Sequence, residues 1–146
     1  MPSAKKDYEL IEHTADVGIR VKGKDLKELF QNAASAMFDI IAEKRAPAHQ
    51  NTRPPAKKII IEQTASNVEE LFINWLNELL SLSSAKEVIF SNFIIHSISE
   101  KTIKATAAGH PSKAFKSNVE IKAATYHQLK VAREGNMWQA EVIFDV

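Results

Sequence analysis

Apolar residues recur at helical spacing in two separate stretches of this chain, and each stretch follows a short run that reads as a strand. The first places Leu26, Leu29, Phe30, Ala33, Ala34, Met37, Ile40 and Ile41 along one face for four turns, the i, i+3, i+4 pattern of an amphipathic helix. Asp25, followed three residues later by Glu28, reads as a capping box that starts it. The second stretch aligns Val68, Leu71, Phe72, Trp75, Leu76, Leu79 and Leu80, with Ser66 or Asn67 as cap. The two starts resemble each other, Glu28-Leu29-Phe30-Gln31-Asn32 against Glu70-Leu71-Phe72-Ile73-Asn74. Two copies are too few for a solenoid, so they suggest a pseudo-symmetric domain.

Most of the remaining chain reads as strand. Residues 8–12 and 17–22 are short strands, and in the second Val17, Ile19 and Val21 alternate with Gly18, Arg20 and Lys22, the period of a half-buried strand. Ile59-Ile60-Ile61 is a strand core. Residues 88–99 and 102–109 pair across a Ser99-Glu100-Lys101 turn, and 120–132 and 137–144 bracket Arg133-Glu134-Gly135-Asn136, a hairpin turn by composition. Strands without strict β-α-β alternation imply an α+β fold, here a two-layer sandwich whose largely antiparallel sheet carries both amphipathic helices on one face. Residues 43–58 interrupt the pattern with Pro47, Pro54 and Pro55 and five basic residues against Glu43, which predicts a mobile loop. At 146 residues the chain fits a single domain, 1–146.

Composition narrows the chemistry. A hydrophobic fraction of 45% and a charged fraction of 25% are those of a globular domain. The absence of cysteine excludes disulfides, thiolate metal sites and cysteine nucleophiles. A net charge of +1 argues against a dedicated nucleic-acid coat protein, and no direct sequence-specific nucleic-acid binding is expected. The first residues lack the apolar stretch of a signal peptide, and no apolar run is long enough to span a membrane. A cytoplasmic protein with no membrane partner is the expectation. There is no phosphate-cradling glycine loop, no H-E-x-x-H and no nucleophile elbow, and His13, His49, His96, His110 and His127 include no i, i+4 pair.

Three features remain. They are Glu12-His13-Thr14-Ala15-Asp16-Val17-Gly18 between two strands, Lys122-Ala123-Ala124-Thr125-Tyr126-His127, and the terminal Phe144-Asp145-Val146. Asp145 and the α-carboxylate of Val146 are anionic groups one residue apart. If Asp16 comes near, three carboxylates converge and repel one another unless a cation joins them. Hard oxygen ligands favour Ca²⁺, Mg²⁺ or Mn²⁺.

These three segments, with the Glu28-Leu29-Phe30 helix start and Trp75-Leu76-Asn77-Glu78-Leu79-Leu80, resemble in order those of the archease family, from about residue 8 to the last residue. The resemblance implies a protein cofactor rather than an enzyme. It would activate the GTP-dependent RNA ligase of tRNA splicing and RNA repair, which joins 2′,3′-cyclic-phosphate or 3′-phosphate ends to 5′-hydroxyl ends. It implies that the chain promotes guanylylation of the ligase's active-site histidine and allows multiple turnover. Some members are described as chaperones for a tRNA cytosine methyltransferase. Carried onto this chain, the family's divalent-metal site falls on Asp16, Asp145 and Val146, with calcium as the expected ion, and its functional lysine on Lys122. His13, Glu12 and His127 are further candidates. One departure is Lys116-Ser117, where many members carry a basic residue and a histidine.

Each residue also has a plainer reading. Asp16 could cap backbone N–H groups in a turn, Asp145 could be a frayed terminal residue, and Lys122 a solvated strand lysine. His13 would orient its loop, and Tyr126 and His127 would pack on or hydrogen-bond to the sheet. The five lysines between 101 and 122, against Glu120, read as a solvated face or a phosphate-facing patch. A surface-acting chaperone for the methyltransferase is the alternative function, and a stand-alone metal-dependent phosphoesterase is the third.

Overall fold

A computed structural model describes residues 8–12, 16–44 and 57–146. The chain order is β1 (Tyr8–Glu12), β2 (Asp16–Gly23), α1 (Leu26–Ile41), β3 (Ala42–Lys44), β4 (Lys57–Thr64), α2 (Val68–Lys86), β5 (Val88–Ile98), β6 (Thr102–Pro111), β7 (Phe115–Ser117), β8 (Ala123–Glu134) and β9 (Met137–Asp145). The fold is α+β and its strand pairs are antiparallel. The strands divide into three sheets, ordered β1-β2-β9-β8, β4-β6-β5 and β3-β7.

Both helices begin as their caps dictate. The Asp25 carboxylate accepts from the Glu28 N–H at 2.9 Å, and Glu28 Oε1 accepts from the Lys24 N–H at 2.9 Å. Asn67, not Ser66, caps α2: its Oδ1 accepts from the Glu70 N–H at 2.8 Å, while Glu70 Oε1 accepts from the Ser66 N–H at 2.6 Å. Each exchange satisfies orphan donors of a helix start. Gly23, at the end of β2, is held to glycine because a Cβ there would meet the backbone N of Leu29. The strand therefore passes directly against the first turn of α1.

The helices are clasped by two sheets. α1 contacts both β2 and β5, and α2 contacts β8, β4 and β5. This explains burial beyond the predicted stripe: Ala36 and Phe38 on α1 and Ile73 on α2 are also buried. Phe38 meets Phe90 and Phe93 of β5 at centroid distances of 5.7 and 6.0 Å, and Gln31 Nε2 donates to the Phe93 carbonyl at 2.9 Å. The helices lock together where Trp75 Nε1 donates to the Phe30 carbonyl at 3.0 Å and Phe30 meets Phe72 edge-on at 5.2 Å.

The two ends of the loop expected over 43–58 are strand. Glu43 and Lys44 extend in β3, paired with Lys116 and Phe115, and Lys57 and Lys58 begin β4, opposite Gly109 and Ala108. Glu43, Lys57 and Lys58 are exposed while the backbone finds ladder partners. Residues 45–56 lie outside the described residues. Among the described residues, no helix is long and apolar enough to cross a membrane.

Candidate functional site

The site is assembled by the four-stranded sheet. β2 presents Val17, Ile19 and Val21 to the helices, so Asp16, Gly18 and Arg20 take the opposite face. β9 alternates likewise, with Ala140, Val142 and Phe144 buried inward. The register sets Asp16 directly opposite Asp145, 129 positions later in the chain, and Ala123 of β8 opposite Asp145 on its other side. Directly opposed residues of an antiparallel pair share a face, with Cβ atoms about 4.5–5.5 Å apart. Two carboxylates from opposite ends of the chain thus stand side by side on the helix-free face, Asp16 half-buried and Asp145 exposed.

The rest of that face shows why the pair stands out. Two rows away, Arg20 donates from Nε to Glu141 at 2.9 Å and from Nη1 to Glu9 at 2.7 Å, and Lys130 opposes Glu141 and pairs with Glu134 at 2.8 Å. The hydrogen bonds it donates to Glu141 and Glu9 hold the Arg20 guanidinium above its usual pKa. That row is balanced in sign. The intervening row is apolar, Ile11, Gly18 and Ile143 beside Thr125. On its β8 side the Asp16–Asp145 row ends in Ala123, and among the described residues no ion pair involves either aspartate.

The chain end is anchored rather than frayed. The Lys122 N–H donates to the Asp145 carbonyl at 2.8 Å, and the Val146 side chain packs partly buried against the core. Its α-carboxylate follows Asp145 by one residue. Lys122 is exposed and lies just before β8, not inside the strand expected over 120–132. It lines a cleft of about 1010 Å³ with Asn77, Leu80, Ser83, Phe115 and Ile121.

Asn77, which carried no assigned role, fixes this corner. Its Oδ1 accepts from the Ala124 N–H at 2.8 Å and its Nδ2 donates to the Ala124 carbonyl at 3.1 Å. A side-chain amide thereby supplies a ladder pair to the start of β8, two residues beyond Lys122. The detectable signal was a polar residue between Trp75-Leu76 and Leu79-Leu80.

The other candidates are placed apart. The β8–β9 register slips between Thr125 and Lys130, a bulge that exposes residues 126–128 with Gln128 in the left-handed region at φ 54, while Leu129 packs back against the core. Tyr126 and His127 are therefore exposed, not packed into the sheet. The Glu12 backbone pairs opposite Val17. Its side chain, and all of His13, lie outside the described residues. Among the described residues, no three His, Cys, Asp or Glu side chains gather as a metal site.

Comparison with known proteins decides the family. Residues 8–146 match the model of the Archease protein family (MTH1598/TM1083). The chain belongs to the archease family. It is 36% identical to protein archease of Methanosarcina acetivorans over 152 aligned positions covering all of both chains. It is 34% identical to that of Pyrococcus furiosus, covering 97% of this chain and 99% of the relative. The solution structure of Methanobacterium thermoautotrophicum protein 1598 superposes with a TM-score of 0.74 at 28% identity, covering 97% of this chain and 100% of the other. The crystal structure of a Thermotoga maritima protein, described as an archease and possible chaperone, shares the fold: TM-score 0.63 at 22% identity, over 93% and 94% of the two chains.

Proposed function

We propose that this archease acts in the cytoplasm as a protein cofactor of the GTP-dependent RNA ligase of tRNA splicing and RNA repair. In this reading it promotes guanylylation of the ligase and its multiple turnover, and Asp16, Asp145 and the α-carboxylate of Val146 hold a divalent metal. The observation that carries the reading is the Asp16–Asp145 register pair, with no cationic partner among the described residues. Two opposed carboxylates repel each other, so the arrangement favours a counter-ion. The donors are all oxygens, which suits Ca²⁺, Mg²⁺ or Mn²⁺. Held by these three groups, a divalent ion would supply positive charge beside the last carboxylate.

The chain's own residues do the positioning. The Lys122 N–H holds the Asp145 carbonyl, Asn77 holds Ala124, and Val146 packs against the core. The last carboxylate is thus presented from an ordered strand end. Binding the competent state of the ligase more tightly than the idle state shifts its population toward turnover. The test is ligase guanylylation and product per ligase with and without this protein. Asp145→Ala and Asp16→Ala are expected to leave the fold intact and to reduce the ligase to single turnover. Many turnovers with either variant would refute the mechanism.

A second reading is a chaperone-like binding module for a tRNA methyltransferase, favoured by the description of the Thermotoga maritima structure as a possible chaperone. It predicts suppression of partner aggregation that survives chelation, whereas the metal-dependent reading predicts stimulation lost with the metal.

A further inference from the structure

The three-stranded sheet ends in two unlike edges. β5 carries two register shifts, between Phe90 and Asn92 and between Ile95 and Ser97. Such bulges twist an edge away from further pairing. β4 has none: its eight residues pair without a break with β6, Lys57 opposite Gly109 through Thr64 opposite Thr102. Among the described residues no strand covers its other edge. A regular eight-residue edge with unpaired backbone groups is a template for another strand.

The side chains on the solvent face of this edge are complementary to themselves. Ile60 is 68% exposed and Ile94 is 49% exposed, and both stand in register with Thr106. They make one β-branched row across three strands. Either side of Ile60 along β4 lie Lys58 and Glu62, both exposed. Glu62 opposes Lys104 on β6, whereas Lys58 opposes only Ala108, so no carboxylate stands across from it on its own sheet.

We propose that β4 is a self-association edge, and that a second copy of this chain adds its own β4 antiparallel about a two-fold axis at Ile60. That axis sets Ile60 against Ile60 and, twice, Lys58 of one copy opposite Glu62 of the other. The charge row then alternates Lys104, Glu62, Lys58 across the junction. On the helix side, Ile59 of each copy meets Ile61 of the other. Opposed charges and β-branched pairs are the favourable cross-strand combinations. The two sheets become one of six strands with a continuous Ile94–Thr106–Ile60 row doubled across the axis. A single ladder is a small interface, so the dimer is a weak one.

The test is sedimentation equilibrium of the whole protein from about 5 μM to 1 mM, with circular dichroism to verify folding. The wild type is expected to move from monomer to dimer over that range, and more weakly at high salt. Lys58→Glu and Glu62→Lys each place like charges opposite one another twice and should weaken dimerisation at least tenfold. The Lys58→Glu/Glu62→Lys double variant restores opposite charges and should restore the dimer. A wild type monomeric throughout overturns the proposal and leaves the edge to a strand of a different protein. A dimer untouched by both single reversals, or a double variant that stays monomeric, overturns this register.

Discussion

Replacing Asp16 by Asn separates the metal reading from an ordinary structural one, because the two predict opposite signs. Asp16 and Asp145 are register partners on one face, at Cβ separations of about 4.5–5.5 Å. Two unit charges about 5 Å apart repel by about 0.8 kcal/mol in water, in line with the roughly 0.2–1 kcal/mol typical of directly opposed pairs on a sheet. Asparagine keeps the shape and removes one charge. In chelator, Asp16→Asn should therefore be more stable than wild type by about 0.2–1 kcal/mol, a rise in Tm of up to about 4 °C for a chain of this size. With calcium the order reverses. At a free concentration 100 times its Kd, the ion stabilises the wild type by about 2.7 kcal/mol, or about 5–10 °C, and the variant far less. Differential scanning calorimetry in chelator and in calcium reads both. A variant less stable than wild type in chelator would mean that Asp16 makes a structural bond. A calcium shift unchanged by the substitution would remove Asp16 from the site.

Asn77→Leu removes both bonds to Ala124 and leaves the backbone N–H and C=O of a buried residue unpaired, at about 1–3 kcal/mol each. Urea unfolding should register that loss, and faster hydrogen exchange at the Ala124 amide should localise it to the start of β8. At the far end of that strand, the hydrogen bond from Lys130 and its charge hold the Glu134 carboxyl below the ordinary glutamate value. A carboxyl lowered in the folded state favours folding above its unfolded pKa, and that contribution fades as pH falls through the folded one. Lys130→Met should return the Glu134 pKa upward in a carboxyl NMR titration. It should also flatten that part of the acid limb of stability, while an unmoved Glu134 would refute the pairing.

The helices were readable because period and caps agree. Asp25 with Glu28 and Asn67 with Glu70 mark starts that the apolar stripes then continue. Ala36 and Phe38 fall outside the stripe because a stripe assumes one covering layer, and α1 has two. β3 and β7, at three residues each, are too short to show alternation, and β3 draws its stability from pairing with a segment about 70 positions away. Lys57 and Lys58 read as loop in sequence because an edge strand places charge on its open face. At the site, the residue types alone leave the meeting of Asp16 and Asp145 conditional and only the family resemblance implies it, because their register follows from how the whole β2–β9 ladder buries Ile19, Val21, Val142 and Phe144 on one side.

The most direct measurement is anomalous scattering from crystals of the protein soaked in manganese, a hard cation that takes oxygen ligands. The account predicts a peak within about 2.0–2.6 Å of carboxylate oxygens from Asp16, Asp145 and the Val146 terminus together, the distance range of hard cations to oxygen. A peak that omits Asp16 or the terminal carboxylate, or a fully soaked crystal with no ion between β2 and the end of β9, would contradict it.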